Sequence, residues 1–334
     1  MNGAMSLQKV MRASPRARWL VFAGAALLFA LVFQNNPYLM RVGVLALLYA
    51  TLTVSLNLVN GYTGLFSLGH VAFYGIGAYT SGLLALNLNF PFWLSFLMAG
   101  MVAMLFGTLV SLPAARLRGI YLAIITLAFA EITRLLIINL QWLTRGPFGL
   151  PGIPPPSLFG YEITGDAGIY LISLALLMLT VYVIERIMHA RPGYALLAIR
   201  EDEQAAAASG IKVFRYKVLA FAIAAFFAGL AGSVYAHYTR FISHDSFTLN
   251  ESFAVLSMLV FGGIGSTPGA ILGAFLLTAI PEVFRFAADY RMVIYGVVLT
   301  LVILFRPQGL LGKSTLTLPG AQRAKAERSR RGTT

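Results

Sequence analysis

Apolar runs close to the length of a membrane-crossing helix recur along the whole chain. They lie at 19–33, 40–59, 65–87, 92–113, 119–140, 169–187, 217–238, 250–264, 268–284 and 291–305. An α-helix needs about 20 apolar residues to cross the hydrocarbon core, whereas the strands of a membrane barrel are shorter and alternate in polarity. Only 11% of the residues are charged, compared with about 25% in soluble domains. The sequence therefore predicts an all-α, polytopic membrane helix bundle of about ten spans, or eight or nine if the glycine-rich runs are broken.

The distribution of basic residues predicts how these spans are oriented. With the N-terminus in the cytoplasm and the spans alternating, the inner segments are 1–18, 114–118, 185–217 and 306–334. They hold 4, 2, 6 and 7 of the 25 Lys and Arg residues. Lys and Arg concentrate in the cytoplasmic loops of membrane proteins. We therefore expect both termini in the cytoplasm and the chain in the cell inner membrane.

Several other functions are disfavoured by the same sequence. The net charge of +13 comes from short clusters between apolar runs, and no basic face forms, so nucleic acid is not an expected partner. The chain has no cysteine, and its four histidines lack metal-ligand spacing, so no metal site and no catalytic residue are predicted. Gly312-Lys313-Ser314 resembles the end of a phosphate-binding loop, but Pro307 stands where the first glycine is required. We expect no enzyme activity and no cofactor in this chain.

Polar segments mark the organisation of the chain. Residues 1–18 predict a basic cytoplasmic N-terminus, and we interpret the run at 19–33 as an uncleaved first span because no small-residue cleavage site ends it. Residues 19–312 predict one transmembrane domain. Within it, the proline-rich segment 141–168 predicts an outside loop, which is either a plain connector or a segment that contacts a delivery protein or gates the entrance. Residues 313–334 predict a basic, disordered cytoplasmic tail beside anionic membrane lipid.

The segment 189–216 is the longest predicted cytoplasmic stretch between spans. Its residues 192–193 are typical of a helix start and 209–210 of a helix end, so one short helix is expected. Residues 196–199 make one side of this helix apolar, and 200–204 form a compact charged patch. Such a helix suits docking into a cleft of a cytoplasmic protein. The alternative is an interfacial helix on lipid, which the acidic residues disfavour.

Strings of glycine and polar residues follow one another between residues 57 and 312. They are Asn60-Gly61-x-x-Gly64-x-x-Ser67-Leu68-Gly69-His70, Phe73-x-Gly75-Ile76-Gly77-Ala78-Tyr79, Arg118-Gly119-x-Tyr121, Thr126-Leu127-Ala128-Phe129-x-Glu131, Gly193-x6-Arg200-Glu201-Asp202-Glu203, Gly262-Gly263-x-Gly265-x-x-x-Gly269 and Phe305-Arg306-Pro307-Gln308-Gly309-Leu310. In this order they resemble the permeases of branched-chain amino acid ABC importers, the LivM-like subunit more than its LivH-like partner. Ala205-Ala206-x-x-x-Gly210 is similar to the EAA-type coupling motif, with Gln204 where that motif has its acid. Leu65 departs from the family, whose members often carry Gln there.

The resemblance implies a heteromeric importer that moves leucine, isoleucine and valine by alternating access. This chain and a LivH-like permease would form the path, and a periplasmic or extracellular solute-binding protein would deliver the solute. Two cytoplasmic ABC ATPases would bind ATP and Mg. The residues expected to couple this chain to the ATPases are Gly193, Arg200, Glu201, Asp202, Glu203, Ala205, Ala206 and Gly210.

Polar side chains within the apolar runs are the candidates for the translocation pathway, because such groups are costly in a bilayer. They are Asn57, Ser67, His70, Thr126 and Glu131. For Asn57, His70 and Thr126 the alternative is a hydrogen bond between packed helices. Glu131 stands three residues from Arg134 on one helix, so a structural ion pair is favoured over solute contact.

Glycines in the apolar runs predict close helix packing at one place and leave two interpretations at another. Gly265, Gly269 and Gly273 repeat every four residues and predict a packing face. Gly61 to Gly77 permit either the same packing or a broken span whose backbone binds a zwitterionic solute.

Two other functions remain open from the sequence. The same machine with urea, short amides or other amino acids as cargo is one, because an aliphatic solute requires only a small apolar pocket and a few donors. An ion-coupled secondary transporter without an ATPase is the other. A membrane enzyme is disfavoured by the missing catalytic residues.

Overall fold

A computed structural model describes the chain at residues 15–117, 119–158, 161–283, 296, 297, 300, 304 and 309–311. Three predicted features lie outside these residues, wholly or for the most part: the start of the basic N-terminus, the last apolar run at 291–305 and the tail at 313–334. Arg118 of the motif series lies outside them as well.

Most of the described residues are helical. The helices are α1 (Pro15–Phe33), α2 (Pro37–Asn57), α3 (His70–Leu88), α4 (Phe92–Ala114), α5 (Ile120–Asn139), α6 (Gln141–Thr144), α7 (Asp166–Met188), α8 (Arg191–Glu201), α9 (Glu203–Ala208), α10 (Val213–Thr239), α11 (Leu249–Gly262) and α12 (Thr267–Val283). A π-helical turn, Leu58–Tyr62, extends α2, and single 3-10 turns lie at Gly146–Phe148 and His244–Phe247.

Six helices are long and apolar enough to cross a membrane: α2 with its π-helical turn, α3, α4, α5, α7 and α10. The apolar parts of α1 and α12, Phe22–Phe33 and Thr267–Ile280, are shorter. α11 has 14 residues, a length of about 21 Å at 1.5 Å per residue, compared with about 30 Å of hydrocarbon. The chain is therefore a polytopic membrane helix bundle, and the count of ten spans stays a prediction.

Helix α10 is the centre of the bundle, packed along α3 and α4, while α12 packs along α2. Small residues permit this packing. A Cβ added to Gly229 would overlap Ala103, and one added to Gly77 would overlap the backbone of Gly229. Since carbon atoms need about 3.5–4.0 Å between them, larger side chains would force these helices apart.

The chain between α2 and α3 is broken at the start of the run 65–87, which the sequence leaves open as either a continuous or a broken span. After the π-helical turn, residues 63–69 form no helix, and they alternate between buried and more exposed positions, a periodicity like that of extended backbone. Gly64 has φ +72°, the left-handed region that glycine adopts without a steric cost. The predicted helix therefore begins only at His70.

The predicted outside loop folds down against one end of the bundle. Strand β1 (Leu150–Pro151) pairs with β4 (Phe241–Ile242), and β2 (Ser157–Leu158) pairs with β3 (Tyr161–Glu162), both antiparallel. The side chains of Leu150 and Ile153 are buried. His237 on α10 places its Nδ1 2.7 Å from the carbonyl oxygen of Pro154. These contacts join the segment 141–168 to α10.

At the opposite end, α9 is joined to the end of α4 through Lys217, and residues 309–311 pack on the end of α11. The backbone N–H groups of Leu310 and Leu311 donate to the carbonyl oxygens of Phe261 and Gly262 at 3.0 and 2.9 Å. The described parts of the predicted cytoplasmic segments at 114–118, 185–217 and 306–334 thus lie at one end. Alternating spans require this arrangement, and the orientation in the cell stays a prediction.

Candidate functional site

The segment 189–216 forms two helices, so the expectation of one short helix is wrong. α8 ends at Glu201, and the backbone of Asp202 is extended, with φ −156° and ψ 113°. The Asp202 carboxylate accepts hydrogen bonds from the N–H groups of Gln204 and Ala205 at 2.8 and 3.1 Å. An aspartate in this position is a favoured helix N-cap, and it starts α9 in a new direction.

The two faces of these helices differ as the sequence predicts. Leu196 and Ile199 are buried against the bundle, whereas Glu201, Asp202 and most of α9 are exposed. Ala206 is the exception in α9, since its side chain is buried. Five of the eight candidate coupling residues thus form an exposed surface at this end of the bundle, namely Arg200, Glu201, Asp202, Ala205 and Gly210, whereas Gly193 and Ala206 are buried and Glu203 is partly buried.

Two candidate coupling glycines have roles inside this chain. A Cβ on Gly193 would overlap the backbone of Met188, so only glycine fits the tight turn between α7 and α8. Gly210 has φ +83° and ends α9 in the conformation that glycine favours. The spacing of these two glycines therefore reflects the turn before α8 and the end of α9.

Arg200 joins this surface to the break between α2 and α3. Its Nη1 donates a 2.6 Å hydrogen bond to the carbonyl oxygen of Gly61, which lies at the end of the π-helical turn where carbonyls lack helical partners. The aliphatic part of Arg200 also lies against Gly64, where an added Cβ would be 3.0 Å from the arginine Cγ. One side chain thus contacts the break at two points, Gly61 and Gly64.

Lys217 is a second tie, which the sequence analysis missed. Its side chain is 1% exposed, and its Nζ lies 2.9 Å from the Oε1 of Glu203. The same Nζ donates to the carbonyl oxygen of Ala115 at 3.2 Å, at the negative end of the α4 dipole. A buried ammonium requires an anionic partner, so α9, α10 and α4 are held together here. The sequence signal that could have predicted this tie is a lysine at the start of the apolar run 217–238.

Side chains satisfy the backbone of the break. Asn60 Nδ2 donates to the carbonyl oxygen of Ser67, and the Ser67 N–H donates to Asn60 Oδ1, both at 3.1 Å. The Leu68 N–H donates to Thr126 Oγ1 at 3.0 Å. Irregular backbone at membrane depth must find its hydrogen bonds within the protein. The side chains of Asn60 and Thr126 therefore stabilise this segment, and Ser67 takes part through its backbone.

Asn57 connects the break to the turn between α11 and α12. Its Oδ1 accepts a hydrogen bond from the N–H of Gly265 at 2.8 Å, and the hydroxyls of Tyr62 and Thr267 are 2.8 Å apart. The Nδ2 of Asn57 is buried without a hydrogen-bond partner among the described residues. The break between α2 and α3 and the turn between α11 and α12 are thus in contact at the α8 end of the bundle.

The remaining polar candidates lie elsewhere on α3 and α5. His70 places its Nε2 2.8 Å from Ser55 Oγ, so it makes the hydrogen bond between helices that was the alternative to a pathway role. Arg134 Nε donates to both carboxylate oxygens of Glu131 at 3.0 and 3.1 Å. The expected ion pair is therefore present, and both side chains stay partly exposed, at 26% for Arg134 and 32% for Glu131.

The glycine repeat at 265–273 is only partly a helix face. A Cβ on Gly269 or on Gly273 would overlap the end of α11, as close packing requires. Gly265 lies before α12, in the turn, with φ +81°. Its expected packing role is therefore wrong, because the helix begins two residues later at Thr267.

The run from Gly61 to Gly77 combines both interpretations. Gly61, Gly64 and Gly69 lie in the break or at its end, and a Cβ on Gly69 would overlap the Thr126 backbone. Gly75 and Gly77 lie within the continuous helix α3, where they approach Phe247 and Gly229. Among the described residues, no group of three His, Asp or Glu side chains is placed to hold a metal ion.

Comparison with known proteins identifies the family. The family described as branched-chain amino acid transport system, permease component, matches residues 38–305. This chain belongs to that permease family. The matched residues include the break, α8, α9 and the turn between α11 and α12, and they confirm the resemblance that the motifs indicate.

Individual members of this permease family show the same relationship. The chain is 40% identical over 293 residues to the high-affinity branched-chain amino acid transport permease LivM of Escherichia coli K12, covering 81% of this chain and 69% of LivM. It is 29% identical over 290 residues to LivH of the same organism, covering 79% of this chain and 91% of LivH. The autoinducer 2 import permease LsrC of an Enterobacter species is 27% identical over 294 residues, 83% of each chain. No solved structure matches the chain.

Proposed function

We propose that this chain is the LivM-type permease subunit of an ATP-driven importer that moves branched-chain amino acids across the cell inner membrane. A related LivH-type permease completes the path, two cytoplasmic ATPases hold the ATP and Mg, and a solute-binding protein delivers the cargo. The observation that carries this proposal is the bond from Arg200 in the exposed α8–α9 surface to Gly61 in the broken span.

The α8–α9 surface has the properties of a docking element for an ATPase. Its apolar side is already used against the bundle, through Leu196 and Ile199, so the exposed side is free for another protein. That side presents the carboxylates of Glu201 and Asp202 and the small side chains of α9. Short helices docked in a cleft transmit rigid-body motion to the elements that they contact.

Motion of this surface reaches the spans through two charged ties. Arg200 connects α8 to the break after α2, and Lys217 connects α9 to α10 and the end of α4. Displacing α8 and α9 therefore changes the contacts of three spans at once. Coupling between ATP and solute requires such a difference in contacts between two global states.

The break between α2 and α3 and the turn between α11 and α12 form the part of the bundle that can move. The bonds from Asn57 to Gly265 and from Tyr62 to Thr267 close this end of the bundle in the described conformation. They join backbone turns whose dihedral angles can change without unfolding a whole helix. We assign these contacts to the closed state of the cytoplasmic side in an alternating-access cycle.

The identity of the cargo rests on the relatives. LivM of Escherichia coli, at 40% identity, is named for branched-chain amino acids, whereas LsrC, at 27% identity, is named for autoinducer 2. Leu65, the departure from the family pattern, is buried in a cluster with Leu122 and Phe221. It packs against helices in this conformation, so the departure does not by itself argue for another solute.

Reconstitution of the whole assembly tests this proposal. The chain, its companion permease, the ATPases and the binding protein are placed in proteoliposomes, and uptake of radiolabelled leucine is measured with and without ATP. The proposal predicts uptake that requires both ATP and the ATPases. Leucine uptake by this chain alone under an ion gradient supports the secondary transporter. ATP-dependent uptake of urea or amides without leucine uptake assigns another cargo.

A further inference from the structure

The exposed face of α5 differs from those of the neighbouring apolar helices. Helix α4 contains no charged residue, and its large exposed side chains are apolar throughout. They are Trp93, Leu94, Leu97, Met101, Leu105, Phe106, Leu109 and Leu112. Such a face suits contact with lipid. α5 instead carries Glu131 and Arg134 at partly exposed positions.

Glu131 lies deep within its span. It stands eleven residues after Ile120 and eight before Asn139, the two ends of α5, which places it about 12 Å from the nearer end at 1.5 Å per residue. In the six clear spans, every other charged residue lies within five residues of a helix end. An acid at this depth marks a site where lipid is not the neighbour.

The described residues do not enclose the ion pair. The Glu131 and Arg134 side chains are 32% and 26% exposed, so roughly a third or less of each faces whatever adjoins α5. Facing hydrocarbon, that exposed charge would be strongly unfavourable, because lipid tails offer neither hydrogen bonds nor solvation. Water, or a polar solute passing in water, satisfies it.

Glu131 belongs to a continuous stripe along the helix, and Arg134 adjoins that stripe three residues after Glu131. Positions three and four residues apart share a helix face, and the members of this stripe are exposed or, at Glu131, partly exposed. They are Tyr121, Ile124, Ala128, Glu131, Leu135 and Asn139. The stripe therefore combines apolar side chains with the polar groups of Tyr121, Glu131 and Asn139 along the span.

We propose that the stripe Tyr121–Ile124–Ala128–Glu131–Leu135–Asn139 lines the aqueous path along which the zwitterionic solute passes between this chain and the second permease. This inference rests on the proposed function. The Glu131 carboxylate and the Arg134 guanidinium present charges opposite to the ammonium and carboxylate of an amino acid. Ala128 and Leu135, about one helical turn to either side of Glu131, offer apolar surface to an aliphatic side chain.

The chain has no cysteine, so single cysteines can be introduced into the natural sequence to test this face. On the stripe we choose Ile124→Cys, Ala128→Cys and Leu135→Cys. Exposed α4 positions at similar distances from the α8 end of the bundle serve as controls: Leu109→Cys, Leu105→Cys and Met101→Cys. Leu135 and Met101 are matched in exposure as well, at 44% and 47%.

The measurement is the rate at which a membrane-impermeant, charged methanethiosulfonate reagent modifies each cysteine in the assembled importer in proteoliposomes. Only a hydrated thiol ionises and reacts with such a reagent. We expect the α5 cysteines to react at least about tenfold faster than their α4 partners, and excess leucine to slow them. Equal, slow rates on both helices would show that the stripe faces lipid or a dry contact, and would overturn the proposal.

The same preparation separates this inference from the proposed function. ATP-dependent leucine uptake by the cysteine-free parent tests the function alone. A parent that transports leucine while all three α5 cysteines stay unreactive refutes the aqueous stripe and leaves the importer intact. Three stripe positions are used so that one variant that fails to assemble does not decide the result.

Discussion

Arg200 holds the carbonyl oxygen of Gly61 through a 2.6 Å hydrogen bond although 139 residues separate the two in sequence. One residue belongs to the exposed helix pair α8–α9, and the other ends the π-helical turn of a broken span. A charged donor strengthens such a bond to about 1.5–3 kcal/mol. It is the most direct link between the surface proposed to meet the ATPases and the part of the bundle proposed to move.

The buried lysine predicts an unusual order of stabilities. Glu203→Ala removes the anionic partner of buried Lys217 and should lower the free energy of unfolding by about 3 kcal/mol. Adding Lys217→Met to this variant removes the buried charge and should recover most of that loss, because apolar replacement of a buried ion pair is close to neutral. The stabilities of the parent, the single variant and the double variant are measured by thermal unfolding in detergent. A double variant less stable than Glu203→Ala would contradict the buried ion pair between Lys217 and Glu203.

The break between α2 and α3 should depend on Asn60. Asn60→Ala removes both bonds to the Ser67 backbone and leaves two polar groups unsatisfied, at about 1–3 kcal/mol each. Asn60→Asp keeps the acceptor and loses the donor, so an intermediate effect is expected. Hydrogen exchange of residues 63–69 reports the result directly. Unchanged protection in Asn60→Ala would show that the segment is held by other contacts.

Close packing of α12 on α11 should make Gly273 intolerant of any side chain. Gly273→Ala places a methyl group on the α11 backbone, and overpacking of this kind costs about 1–3 kcal/mol. Gly24→Ala on α1 is the matched control, because nothing lies within 4 Å of its added Cβ. The amount of folded protein in detergent and its thermal midpoint are compared. Equal behaviour of the two variants would contradict the packing.

Much of the architecture was readable because its causes are local. Apolar runs of bilayer length predict helices, and the spacing of Glu131 and Arg134 predicts their ion pair. The basic segments also predict which loops share an end of the bundle. Each of these signals lies within a few residues of the feature that it produces.

Contacts across the bundle were not readable in the same way. The break at residues 58–69 depends on Asn60 folding back on Ser67 and on Thr126 from another helix, and no local pattern shows that pairing. Asp202 was assigned to a charged patch, although its carboxylate caps α9. Lys217 and Glu203 are 14 residues apart, and only the packing of α9 on α10 brings them together. The site was therefore predicted as a set of residue types, and the structure supplied its connections.

The ratio of leucine imported to ATP hydrolysed is the measurement that tests the account most directly. It is determined for the reconstituted importer with Arg200→Ala and with Arg186→Ala, an exposed arginine in the last turn of α7 that serves as control. We predict that Arg200→Ala assembles and hydrolyses ATP but loses at least about tenfold in the ratio, whereas Arg186→Ala keeps it, because 1.4 kcal/mol corresponds to a factor of ten. An unchanged ratio in Arg200→Ala would contradict the claim that this hydrogen bond carries motion from α8 to the broken span.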